Sequence, residues 1–346
     1  MPNKYFIRWY NSIMEKMSNT ALNKIGDIIR AQKHDSDYEN AVGTLNNWRE
    51  AHGAILDNYY DRCVKLAKRI DKNNIIVAQR LKRLPTIIGK LNRFEDMRLS
   101  SMQDIAGVRI IASDMKQLSA IEKRIAKWRH LKRVKDYIGD PKDSGYRGKH
   151  FIFEKNGMFV EIQLRTQFQH IWATSVETID IFRGTSLKEK DDNSYWHDFF
   201  CQVSSIFAIA EGTPVISVYS KFGIAELCSL LQENMDAHRI NKKIVSYALT
   251  DPIVNNEKVK KAYYIVITLN FKKKKADVIS FKESEYHLAF EEYKTREQNN
   301  PRTEQTVLIA LNQINKIREA YPNYFMNLSN FLSIIDFILA KNKKKE

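Results

Sequence analysis

Residues 149–165 constrain the fold more than any other stretch of this chain. The runs "KHFIFEK" and "MFVEIQLR" are strand-like and are separated by Asn156-Gly157, a pair that accepts the positive φ values of a two-residue hairpin turn. Within "VEIQLR" the alternation sets Glu161, Gln163 and Arg165 on one face and Val160, Ile162 and Leu164 on the other. That polar face is either plain solvent exposure or the wall of a cleft, where it would supply a carboxylate, an amide and an anion clamp.

The surrounding pattern alternates strand and helix. "IIVAQRLK", "GVRIIA" and "LKRVKDYI" read as further strands. "LPTIIGKLNRF" reads as a short helix with Pro85 in its first turn. "SDMKQLSAIEKRIAKW" reads as an amphipathic helix with Ser113 or Asp114 as N-cap, and another helix is expected to begin near Thr166. The fold class expected is α/β (α+β), with one mixed sheet over roughly 75–185. The stretch before it is helical, since Ala54, Leu56, Tyr59, Cys63, Leu66 and Ile70 recur at three- and four-residue intervals. After the polar loop "RGTSLKEKDDNS" comes the helix "YWHDFFCQVSSIFAIAEG". Past Pro214 the pattern reads as a helix over 224–236, a hairpin with a solvated KKKK tip, and helices from 284 onward. Three units follow: an N-terminal helical segment (1–74), a core domain (75–212) and a smaller C-terminal α+β domain (213–346).

Charge adds a partner class. The net charge is +15, and residues 61–150 alone hold 23 Lys+Arg against 10 Asp+Glu, a balance of 23 − 10 = +13. An excess so localised points to a nucleotide or nucleic acid; a solvated lysine-rich helix face is the competing reading. No apolar run reaches the ~18 residues of a membrane helix, and the first residues lack the pattern of a signal peptide. Cys63, Cys201 and Cys228 form no CxxC pair, which fits a reducing compartment. A cytoplasmic protein without membrane contact is expected.

Two carboxylates amid basic residues, Asp104 in "DIAGVRI" and Glu161, are the candidate chemical centre. "RLK" at 80–82, Lys90, "DIAGVR" at 104–109, "DYIGDPKDSGYR" at 136–147 and "VEIQLRT" at 160–166 follow in order. In these motifs the chain resembles the RelA/SpoT-type nucleotide pyrophosphokinases, the alarmone synthetases, over roughly 75–185. The resemblance implies a mixed-sheet, nucleotidyltransferase-like core and transfer of the β,γ-pyrophosphate of ATP to a ribose 3′-hydroxyl. It implies that Arg80 and Arg109 sandwich adenine, that Lys82 and Lys90 hold ATP phosphates, and that Asp104 and Glu161 bind Mg²⁺. Glu161 would also take the hydroxyl proton. Tyr146 would stack on the acceptor base, with Lys142, Arg147, His150, Gln163 and Arg165 around the acceptor.

The chain departs from that pattern in ways that bear on the acceptor. Alarmone synthetases commonly read GYRSLH, and this chain reads "GYRGKH" with Gly148 and Lys149. His170 stands where an asparagine is common, and Thr178 where a histidine is. Lys149, beside the tyrosine, fits a longer anion than a free nucleotide. These departures resemble the toxic small alarmone synthetases, in particular CapRel-like fused toxin–antitoxin proteins. That resemblance implies the 3′ CCA end of tRNA as acceptor and arrest of translation. It also implies a C-terminal domain whose Y-x-x-Y element, Tyr321 and Tyr324, covers the ATP site until a phage structural (capsid) protein releases it. A corner where the two tyrosines simply pack beside Pro322 is the plainer reading. Two other functions stay open: a (p)ppGpp synthetase using GDP or GTP, and a catalytically inactive RNA- or partner-binding module. The "KHDSD" at 33–37 is a loop rather than a hydrolase metal motif, and Cys228 with His238 is too little for a metal site.

Overall fold

The computed structural model describes residues 18–33, 35–183, 195–247, 262–270, 273, 275–299, 304–311 and 328–343. Two helices open it, α1 (Asn19–Ala31) and the long α2 (Ser36–Ile70). Asp35 accepts a hydrogen bond from the Tyr38 N–H at 2.9 Å, so the "KHDSD" acid is the N-cap of α2; His34 lies outside the described residues. Then follow β1 (Ile76–Leu81), α3 (Leu84–Arg93), β2 (Ala106–Ala112), α4 (Met115–Ile125) and β3 (Leu131–Asp136). Asp114, not Ser113, caps α4 through Gln117 N–H. The hairpin is β4 (Lys149–Lys155) and β5 (Met158–Thr166), and its turn residues have φ of 52° at Asn156 and 73° at Gly157, as the Asn-Gly pair requires.

Four helices come next: α5 (Gln167–Arg183), α6 (Tyr195–Glu211), α7 (Ile224–Ala237) and α8 (Ile240–Tyr247). The hairpin β6 (Tyr264–Asn270) and β7 (Lys275–Phe281), then α9 (Tyr286–Gln298), β8 (Glu304–Leu311) and α10 (Ser329–Lys343), complete the described chain. β8 departs from the expectation of helices after 284. "TVLIA" is buried on both faces, and such a short continuous apolar run reads equally well as a helix segment.

The eight strands make one mixed sheet in the order β3-β4-β5-β2-β1-β8-β6-β7. Its neighbours pair antiparallel except β2 and β5, which run parallel from Ala106↔Val160 to Ala112↔Thr166. β8 bridges the halves: Ala78↔Leu311 to Arg80↔Ile309 join it to β1, and Tyr264↔Ala310 to Asn270↔Glu304 join it to β6. Elements on both sides of residue 213 therefore share one sheet.

They share cores as well. On one sheet face the apolar stripes of α2, α4 and α9 bury Val160, Ile162, Leu164, Val266 and Leu308 together. A second core joins α5, α6, α7, α8 and α10 around Trp196, Phe199 and Phe331. A third seats α1, the start of α2 and α3 around Leu45, Trp48 and Leu91. The sheet face away from α2 and α4 is left to line a cleft.

Candidate active site

The cleft, of about 730 Å³, is walled by the end of β1, by α3, β5 and α5, and by the turn before β4. Arg80, Lys82, Lys90, Asp104, Lys142, Tyr146, His150, Glu161, Gln163 and Arg165 all line it. Period-2 alternation explains the β5 contribution: Glu161, Gln163 and Arg165 face the cleft while Val160, Ile162 and Leu164 face the core. At its floor a smaller cavity of about 30 Å³ touches Asp104, Glu161, Arg80 and Arg109.

Asp104 sits between two cations. Lys82 Nζ donates to Oδ2 at 2.7 Å and Lys90 Nζ to Oδ1 at 3.1 Å. Burial opposes ionisation of this carboxyl, but the two lysines outweigh it and lower the pKa to about 2. Lys82 is itself shifted down, chiefly by burial, with Asp104 opposing. Asp104 is therefore ionised at neutral pH.

Glu161, only 7% exposed, belongs to a closed ring of hydrogen bonds. His150 Nδ1 lies 2.8 Å from Oε1, and Gln163 Nε2 donates to Oε2 at 2.7 Å. Tyr146 Oη lies 2.5 Å from His150 Nε2, and Arg165 Nη2 donates to Tyr146 Oη at 2.8 Å and Gln163 Oε1 at 3.1 Å. A carboxylate only accepts, so His150 carries a hydrogen on Nδ1, and in the neutral ring Nε2 then accepts from the Tyr146 hydroxyl. Burial pushes the Glu161 pKa up, yet the bonds from His150 and Gln163 hold it below its ordinary value.

Arg165 is 3% exposed and keeps Nε and Nη1 without a protein acceptor. A buried guanidinium in that state is costly unless an anion meets it. Gly148 makes room for it: with φ of 149°, a Cβ there would stand 3.2 Å from Arg165 Cγ. The glycine of "GYRGKH" is thus tied to the arginine of β5.

Three acceptor candidates lie elsewhere. Arg147 turns away from the cleft; it bonds Ser204 Oγ at 3.1 Å and the Pro214 carbonyl at 2.5 Å, and burial lowers its pKa to about 10. Lys149 shares the core-side row of β4 with Phe151 and Phe153 and pairs with Glu122 at 2.7 Å and Asp136 at 2.8 Å. Alternation along β4 already separates it from His150. His170 is buried within α5. Tyr321 and Tyr324 lie outside the described residues.

The cleft also contains side chains that the sequence reading did not select. Arg83 and Arg93 extend the wall that Lys90 begins, and the spacing of the three is a helical stripe that was legible. Glu177 and Asp180 of α5, His197 of α6 and Gln305 of β8 line it too. Gln305 had no local signal, because only the β1–β8 pairing brings it there.

Asp104 and Glu161 suit Mg²⁺, which prefers hard oxygen donors and keeps open positions for phosphate oxygens. Both carboxylates are ionised and converge on a cavity with room for a water-sized or ion-sized particle.

Residues 79–180, from β1 into α5, match the family model described as "Region found in RelA / SpoT proteins". That match concerns one stretch set within a longer chain. The chain is similar to the uncharacterized protein Rv1366 of Mycobacterium tuberculosis, 34% identical over 126 residues, or 34% of this chain and 43% of that protein. It is similar to the GTP pyrophosphokinase YjbM of Bacillus subtilis, 29% identical over 127 residues, or 33% of this chain and 60% of that protein. These matches span between 43% and 60% of the relatives' own lengths. Among solved structures it is similar to small alarmone synthetase 1 from Bacillus subtilis bound to its product pppGpp, with 19% identity and a TM-score of 0.41 over 48% of this chain and 93% of that one. Among the described residues, no helix is long and apolar enough to cross a membrane.

Proposed function

We propose that this chain is an ATP-dependent pyrophosphokinase. The observation that carries the reading is the pairing, in one cleft, of two ionised carboxylates, Asp104 and Glu161, with flanking cations at Arg80, Lys82, Lys90 and Arg109. Phosphoryl-type transfer asks little covalent chemistry of a protein and much positioning and charge neutralisation. Lys82, Lys90, Arg83 and Arg93 take the triphosphate, and Arg80 and Arg109 take the adenine face. The acceptor 3′-oxygen bonds to the β-phosphorus, the bond from that phosphorus to the α,β-bridging oxygen breaks, and AMP leaves. Glu161 receives the hydroxyl proton, held in line by His150 and Gln163. Asp104 and Glu161 would hold Mg²⁺, which would supply neutralisation of the triphosphate charge.

For the acceptor we favour the 3′-terminal adenosine of tRNA. Two features support it. Thr178 is buried, and its hydroxyl donates to the Thr174 carbonyl at 2.8 Å rather than lining the cleft. Arg165 offers two buried donors to an acceptor phosphate. Lys149 gives no support, since Glu122 and Asp136 hold it. The second reading, GDP or GTP as acceptor, draws on the name of the Bacillus subtilis relative YjbM. Incubation with γ-labelled ATP and either tRNA or GDP separates them: label on RNA supports the first, and label on a guanosine nucleotide alone overturns it. Label on neither, with no AMP formed, overturns the pyrophosphokinase reading. Autoinhibition by the C-terminal region through Tyr321 and Tyr324, relieved by a phage structural protein, completes the proposal as an abortive-infection toxin.

A further inference from the structure

The basic excess of residues 61–150 does not all face the cleft. α2 and α4 cover the opposite side of the sheet, and between their outer faces runs an open groove of about 770 Å³. Arg62, Lys65 and Arg69 form one wall and Lys123, Arg124 and Lys127 the other. The first three recur at i, i+3 and i+7, a stripe about 10 Å long. Trp128 lies at the floor, with the Arg62 guanidinium 4.0 Å from its ring centroid.

Acids are sorted away from this groove. Asp57 is taken by Gln79 and Tyr264, both at 2.7 Å, Asp61 by Tyr263 at 3.3 Å, and Glu122 by Lys149 at 2.7 Å. Those three are the acids of residues 51–70 and 115–127. Among the described residues, none of the six groove cations has a carboxylate within ion-pair distance. Six like charges kept together without counter-charge raise the local potential, which an anion relieves.

We infer that this groove docks the phosphate backbone of a structured RNA, on the side of the molecule opposite the cleft. The groove's chemistry selects that partner. It has the volume of a small-ligand pocket but no acceptor to read a base or a ribose, and its walls are helix sides whose backbone N–H groups are already used. The α4 contribution sits at a helix C-terminus, where the dipole does not assist an anion. What remains is charge spread along two rows, which favours many phosphates over one nucleotide. An anionic membrane fits less well, because the exposed large apolar residues, such as Phe94, Val218 and Phe337, lie elsewhere. The inference concerns binding without ATP and stands apart from the proposed reaction.

The test uses the full chain and a labelled, fully paired RNA hairpin, titrated without nucleotide at several salt concentrations. Affinity is expected to fall about a thousandfold between roughly 50 and 200 mM salt if six phosphates are engaged. The exposed triple Lys65→Gln, Arg69→Gln, Lys127→Gln should bind at least about tenfold more weakly, with a salt slope shallower by about one per residue removed. A control triple outside the groove, Lys33→Gln, Lys68→Gln, Lys116→Gln, should bind like the parent. Label transfer to a small acceptor should survive the groove triple. Unchanged affinity in the groove triple, or equal losses in both triples, overturns the inference. So does groove-dependent binding of phosphatidylserine-containing vesicles or tripolyphosphate without RNA binding.

Discussion

Glu297 Oε1 accepts a hydrogen bond from the backbone N–H of Leu84 at 2.8 Å, so α9 supplies the N-terminal cap that α3 lacks. Arg49 joins them: it bonds Glu297 Oε2 at 3.0 Å and the Lys82 carbonyl at 3.1 Å, and Tyr293 donates to Glu297 Oε1 at 2.6 Å. The backbone between Lys82 and Leu84, which aims two of the cations on the triphosphate wall, is thus fixed by α2 and α9. Removing the carboxylate leaves the buried Arg49 charge without its counter-charge, so Glu297→Ala should cost about 3–5 kcal/mol in urea unfolding. Glu297→Gln keeps an acceptor for Leu84, should cost less, and should raise the KM for ATP more than it lowers kcat.

Glu161→Gln removes the proton acceptor and one oxygen donor while leaving volume unchanged. Turnover should drop by about 10²–10⁴-fold, with ATP binding by calorimetry retained within a few-fold. Equal turnover in parent and variant would refute the role given to Glu161.

Asp57 gives a pH dependence of opposite sign to that of Asp104. Burial raises its pKa from 3.8 to about 6 against the hydrogen bonds from Gln79 and Tyr264. The folded state then holds this proton more tightly than the unfolded chain, so stability falls as pH rises from about 4 to about 6 and is level above. The slope from this group is at most about 1.4 kcal/mol per pH unit. Asp57→Asn should flatten that interval in denaturation curves measured across it. The Asp104 contribution is present at neutral pH and is lost only as pH falls from about 4 towards about 2.

Gly148→Ala sets a Cβ against Arg165 Cγ at a backbone angle that L residues disfavour. The variant should lose about 1 kcal/mol or more, and the acceptor KM should rise while the KM for ATP stays near the parent value. A uniform loss in both would point to general unfolding instead.

Tyr321→Ala with Tyr324→Ala should make the chain toxic on expression without infection. A harmless double variant of an otherwise inducible protein removes the tyrosine-lid reading.

Much of the core was legible because its signals are local. Asn156-Gly157 fixes a turn, Ser113-Asp114 marks the start of α4, and alternation in β5 sorts Glu161 from Ile162. Side-chain direction at strand ends was the weaker point: Lys149 was assigned to the acceptor by nearness to Tyr146, whereas the pleat turns it to Glu122. Glu297 and Gln305 could not be found from sequence: Glu297 bonds residues more than two hundred positions away, and Gln305 reaches the cleft only through a sheet that closes in three dimensions. β8 was missed because an apolar run of its length carries no period that separates strand from helix.

The ladder between β1 and β8 also bears on how the protein could be switched. A backbone seam of that kind is not undone by swinging the chain about a joint near residue 213, since the seam lies beside Arg80 itself. On the proposed autoinhibition, relief would have to leave that seam intact, since rupturing it would disturb the Arg80 side of the cleft as it freed it.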